Sequence, residues 1–190
     1  MDSHTHAFIS TGNVDSKFGI PLHGGVFEEV FSRILETPEI DLLGFHFHIG
    51  SQLHDNDGYL KAAGVLIDLM EQVQKSHGFT TRELNIGGGF GVRYTDEDEA
   101  KPFSYFLDPL MALLETECDK RGLSRPDLVI EPGRSLVANA GATLYRIGAV
   151  KEIPGVRTYV SVDGGMTDNI RTALYDAKYE VLEGHPTGGP

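Results

Sequence analysis

The chain has 190 residues, 40% hydrophobic and 23% charged, enough for one sizeable core and typical of a soluble globular protein, neither disordered nor fibrous. Sixteen Lys and Arg against 28 Asp and Glu leave a formal charge of −12, which disfavours nucleic acid and means that an anionic ligand must be met by local groups. The N-terminus lacks a secretory pattern, no apolar run reaches membrane-spanning length, and the single cysteine, Cys118, excludes an internal disulfide, so a reducing, cytoplasmic setting is predicted.

In chain order, apolar residues at Val26, Phe27, Val30, Phe31, Ile34 and Leu35 repeat at helical spacing and lead into a strand predicted over Leu42 to Ile49. The pattern recurs twice. A helix over Tyr59 to Val73 precedes a strand over Glu83 to Ile86, and a helix over Phe103 to Cys118 precedes a strand over Asp127 to Ile130. Helices alternating with short apolar strands predict a parallel sheet. From Ala142 the texture changes to apolar runs at Leu144 to Val150 and Arg157 to Val162 with no helix between them, which predicts antiparallel pairing. A closed barrel of eight strand–helix units needs about 250 residues, whereas this chain offers roughly four units. The expected fold class is therefore α/β: a partial (β/α)8 TIM-type barrel over 1–141, holding about the last four units, then the start of an antiparallel β-domain over 142–190. Such a chain would be an internal portion of a larger enzyme.

Each of the three strands runs directly into groups suited to a phosphorylated ring, and in parallel α/β folds the C-terminal strand ends share one site. The first ends in His46-Phe47-His48-Ile49-Gly50-Ser51. Two imidazoles two residues apart on a strand face one side and would suit a metal, as would His4-Thr5-His6, but no Cys or carboxylate stands beside them in ligand spacing. Gly50-Ser51 instead favours an anion, and no metal is expected. The second ends in Gly87-Gly88-Gly89, which is either a plain turn or a backbone cradle for phosphate. Val92 breaks the dinucleotide fingerprint and no Lys-Ser/Thr pair follows, so a nucleotide is disfavoured. The third ends in Glu131-Pro132-Gly133-Arg134, where a surface ion pair is the plain alternative. In the functional alternative Glu131 keeps a heterocyclic nitrogen protonated while Arg134 meets phosphate or a substrate carboxylate, the combination that pyridoxal phosphate requires.

With these motifs in this order, the chain resembles the fold-type III, alanine-racemase-like pyridoxal-phosphate decarboxylases over nearly its whole length. The likeness runs from His4-Thr5-His6, Ser10-Thr11-Gly12 and Ser16-Lys17-Phe18-Gly19, through the three strand ends, to Val162-Asp163-Gly164-Gly165-Met166. It implies pyridoxal 5'-phosphate as cofactor, with His48 stacked on the ring and Ser51, Gly87, Gly88 and Gly89 on the phosphate. Glu131 would pair with the ring nitrogen, Pro132 and Gly133 would belong to the cofactor-binding set, and Arg134 would serve phosphate and substrate; by the same likeness His48 and Glu131 would be the catalytic pair. Asp168-Asn169-Ile170-Arg171-Thr172-Ala173-Leu174-Tyr175 resembles the stretch with which members acting on meso-diaminopimelate bind a substrate carboxylate, although Thr172 replaces the usual proline. Arg171 and Tyr175 inherit that role, and a fixed bidentate cation suits a substrate with a second amino-acid head. The implied activity is decarboxylation of meso-2,6-diaminopimelate to L-lysine in a homodimeric full-length enzyme. The family's cofactor-anchoring lysine and its later Cys-Glu-Ser-Gly-Asp segment have no match here, so the chain alone is expected to be inactive or nearly so. The rivals are a decarboxylase for carboxynorspermidine, arginine or ornithine, a non-catalytic pyridoxal-phosphate binder, and a metal-dependent hydrolase using His46 and His48.

Overall fold

The computed structural model describes residues 17–184. The motifs at His4-Thr5-His6 and Ser10-Thr11-Gly12, Ser16 of the next, and the turn-rich tail from His185 lie outside them. Two compact units are present: one of residues 17–92 and Glu99–Leu136, the other of Arg93–Asp98 and residues 137–184.

In the first unit helices α1 (Val26–Leu35), α2 (Asp57–His77) and α3 (Phe103–Arg121) alternate with strands β1 (Gly44–His46), β2 (Glu83–Asn85) and β3 (Asp127–Val129). The strands form one parallel sheet in the order β1-β2-β3, with Phe45, Leu84 and Leu128 in register. This is the mixed α/β architecture that the alternation predicts. Three helix-then-strand units are formed among the described residues, against the roughly four expected. The short helix α4 (Arg134–Val137) follows β3.

Helix faces follow the apolar spacing. Phe27 and Phe31 of α1 stack at 5.3 Å, and Phe31 also meets Phe45 of β1 and Phe79. On α2, Tyr59, Ala63, Ile67 and Val73 are buried, and on α3 Phe106, Leu110, Leu114 and Cys118 are buried. Both α2 and α3 outrun their predicted ends, to His77 and Arg121, because each continues to a left-handed glycine, Gly78 or Gly122, that turns the chain away. Arg121 ties α3 to α2 through Asp68 at 2.6 Å and Glu71 at 3.0 Å.

The strands are shorter than predicted, most of all the first, for which Leu42 to Ile49 reduces to Gly44–His46. Only residues facing the short β2 find ladder partners. Beyond them the backbone turns through Gly50 (φ 146°) and Gln52 (φ 61°), although Phe47 N–H still donates to Asn85 O at 2.9 Å and a lone parallel bridge joins Leu53 to Phe90. His48 therefore lies past the strand, and the two-residue period does not set its direction.

The second unit contains a hairpin of β4 (Ile147–Ile153) and β5 (Arg157–Val162), antiparallel as expected. The first strand sits three residues later than predicted. Pro154-Gly155 makes the tight turn, with Gly155 at φ 72° and Val156 N–H donating to Ile153 O at 3.0 Å, and this turn sets the register Ile153 to Arg157. Arg93–Asp98 joins this unit through Glu97 to Lys178 at 2.6 Å and Tyr94 against Tyr179. Helix α5 (Arg171–Tyr175) completes it.

Candidate functional site

The three strand ends of the first unit converge on one cavity of about 220 Å³, lined by His48, Ser51, Gly88, Gly89, Phe90, Glu131, Gly133, Arg134 and Ser135. Seven of the predicted residues are thus brought together, with Gly87 adjoining through His48 and Phe47. Pro132 is not among the lining residues.

The glycine run is explained by crowding. A Cβ on Gly88 would stand 2.1 Å from Glu131 O, and one on Gly89, at φ 97°, would stand 2.1 Å from Gly50 O. Only glycine lets the three strand ends approach so closely while the middle loop turns. The loop is pinned from below by Tyr59, fully buried on α2, whose hydroxyl donates to Gly88 O at 2.7 Å. Burial pushes the Tyr59 phenol well above its ordinary range, so it stays a donor.

Glu131 does not pair with Arg134 as a surface ion pair would. Its Oε1 accepts from Asn85 Nδ2 at 2.9 Å and its Oε2 lies 3.6 Å from His46 Nε2. Asn85 in turn accepts from Gly87 N–H through Oδ1 at 2.8 Å. Among the described residues no carboxylate pairs with Arg134, so a guanidinium lines the cavity with its charge available. Desolvation of the His48 ring, reinforced by His46 and opposed by Glu131, lowers its pKa below the ordinary 6.5 and leaves a neutral imidazole at pH 7. Ser135 Oγ is buried without a hydrogen-bond partner among the described residues while Ser135 lines the cavity.

Arg171 and Tyr175 lie in the second unit, where the guanidinium sits 5.3 Å from the Tyr175 ring centroid, so the structure brings these two together with each other. No group of three or more His, Cys, Asp or Glu that could hold a metal occurs among the described residues. Sequence reasoning missed Phe90, Ser135, Asn85 and Tyr59. Phe90 and Ser135 directly follow quoted motifs, whereas Asn85 and Tyr59 carry no motif signal.

A cavity built from a glycine cradle, an available cation, hydroxyls and a carboxylate beside an imidazole suits a phosphorylated ring. Residues 1–138 match the family model described as pyridoxal-dependent decarboxylase, pyridoxal binding domain. Over 188 residues the chain is 45% identical to diaminopimelate decarboxylase of Bacillus subtilis, covering 99% of this chain and 43% of that protein. Among solved structures, the diaminopimelate decarboxylase from M. jannaschii in co-complex with L-lysine matches at 34% identity and TM-score 0.80, over 93% of this chain and 40% of that one. The Helicobacter pylori enzyme complexed with L-lysine matches at 28% identity and TM-score 0.80, over 98% and 44%. The chain thus spans about two fifths of the length of these relatives, and it belongs to the pyridoxal-dependent decarboxylase family.

Proposed function

We propose that this chain carries the cofactor pocket of a carboxy-lyase that converts meso-2,6-diaminopimelate to L-lysine and carbon dioxide with pyridoxal 5'-phosphate. The observation that carries the reading is the convergence of His48, Gly88, Gly89, Glu131 and Arg134 on one cavity. The residues fit the cofactor: Gly88 leaves no room for a Cβ, and the buried Ser135 hydroxyl has no protein partner among the described residues. Ser51, Ser135 and the amides of Gly88 and Gly89 would hold phosphate, with Gly87, its own N–H given to Asn85, turning the loop toward it, Gly133 giving open access and Pro132 stiffening the turn that carries Arg134.

Bound pyridoxal phosphate supplies an electron sink for the pair left when carbon dioxide departs. The chain's own groups prepare for this. Glu131 would hold a proton on the ring nitrogen, and His48, its pKa lowered chiefly by desolvation, would pack against the ring. Arg134 would balance phosphate or the reacting carboxylate, and Arg171 with Tyr175 would bind the substrate's far carboxylate, where a planar fork favours bidentate contact. A homodimer and a cytoplasmic setting accompany the reading; no helix among the described residues is long and apolar enough to cross a membrane.

The test is an absorbance titration of the chain with pyridoxal phosphate, followed by meso-diaminopimelate, L-ornithine or L-arginine while the cofactor band is watched. Saturable binding lost in Glu131→Ala and Gly88→Asp, and a spectral response to diaminopimelate that weakens in Arg171→Met, is expected. Absence of cofactor binding overturns the reading. A response to ornithine or arginine alone reassigns the substrate.

A further inference from the structure

We propose that Asn85 is a positioning residue that couples the two ends of the cofactor pocket, holding the glycine loop and Glu131 in one hydrogen-bonded unit. The inference rests on the cofactor reading above. Asn85 ends β2, and its carboxamide spans the gap between Gly87 N–H and Glu131 Oε1, at 2.8 and 2.9 Å. The direction of both bonds follows from chemistry. A backbone N–H can only donate, so Oδ1 must face Gly87, which leaves the amide NH2 facing Glu131. Glu131 then accepts that bond on Oε1.

The geometry makes this coupling mechanical as well as electronic. Glu131 N–H donates to Gly87 O at 2.8 Å, so a main-chain bond and the Asn85 side chain clamp the same two residues. A displaced glycine loop moves the carboxylate, and a displaced carboxylate moves the loop. Asn85 itself is not among the residues lining the cavity, so its effect on ligand must pass through its two partners.

Three probes separate the ends: inorganic phosphate reads the glycine loop, pyridoxal reads the ring end, and pyridoxal phosphate reads both. Each is titrated against the whole chain, with melting and amide spectra checking the fold of every variant. Asn85→Ala is expected to weaken both inorganic phosphate and pyridoxal, and pyridoxal phosphate by about tenfold or more. Asn85→Asp still accepts from Gly87 but sets a carboxylate against Glu131, so phosphate and pyridoxal again weaken. Adding Glu131→Gln to Asn85→Asp reverses the side-chain hydrogen bond, Gln donating to Asp, and should restore inorganic phosphate affinity without restoring pyridoxal. That rescue of one end by a substitution at the other is something a merely structural asparagine would not produce. It also decides the matter if Asn85→Ala fails to fold.

A wild-type chain that binds none of the probes overturns the cofactor reading and this inference with it. A wild-type chain that binds all three, with Asn85→Ala unchanged toward phosphate or with no rescue in the double variant, overturns the coupling alone.

Discussion

Gly88→Ala measures how tightly the strand ends are packed. The added Cβ would lie 2.1 Å from Glu131 O and 3.1 Å from Glu131 C, backbone atoms that cannot rotate aside. The end of β3 must retreat by about 1 Å, and overpacking of this kind costs about 1–3 kcal/mol, here toward the upper figure because main chain meets main chain. At roughly 2–4 °C per kcal/mol for a chain of this size, the melting temperature should fall by about 5–10 °C. Because the residue displaced is Glu131, pyridoxal phosphate affinity should fall as well. Gly133→Ala is the internal control: it lines the same cavity, yet its Cβ would meet nothing within 4 Å. Thermal melts by circular dichroism, with and without cofactor, read both variants. A Gly88→Ala chain that melts within about a degree of wild type, or a Gly133→Ala chain equally destabilised, refutes the close-approach argument.

Tyr59→Phe keeps the ring stacked on Phe90 at 5.5 Å but leaves Gly88 O buried without its donor, so a loss of about 1–2 kcal/mol is expected in urea unfolding. An unchanged midpoint would show that the hydroxyl contributes nothing. His48 predicts a pH effect. Because its folded pKa lies below 6.5, the unfolded chain binds a proton first as pH falls from about 6.5 through the folded value. Stability should decline over that window, and His48→Gln should flatten the slope; equal slopes in the two proteins would contradict the assignment. Cys118, 1% exposed and with its thiol pKa raised chiefly by burial, should react with a thiol reagent only on unfolding, and rapid labelling of the native chain would place it elsewhere.

Much of the fold was legible because periodicity and burial are the same fact seen twice. Phe27 and Phe31, or Leu110 and Leu114, fall one turn apart in sequence and face the core together in space. The glycine run and the Glu131 turn were legible for a related reason, since each breaks an apolar strand with residues that a plain strand does not need. Strand lengths were not legible, because a strand ends where its neighbour stops pairing, and β2 offers only three residues. Pro154-Gly155 was a readable turn signal, and the register of β4 follows from it once the partner strand is known.

The chain's order of residues by itself determined the helix faces, the parallel alternation, the hairpin and the cradle of glycines, since all depend on local spacing and on side chains being absent. Only the tertiary structure decided that Asn85 bridges Gly87 and Glu131, that Tyr59 pins Gly88, and that Glu131 turns to His46 while Arg134 stays available. Those are polar contacts between residues distant in the chain, 46 positions apart for Asn85 and Glu131 and farther still for His46 and Glu131. An asparagine or tyrosine has no spacing that announces its partner, so its role is set when packed strands bring one donor within reach of one acceptor.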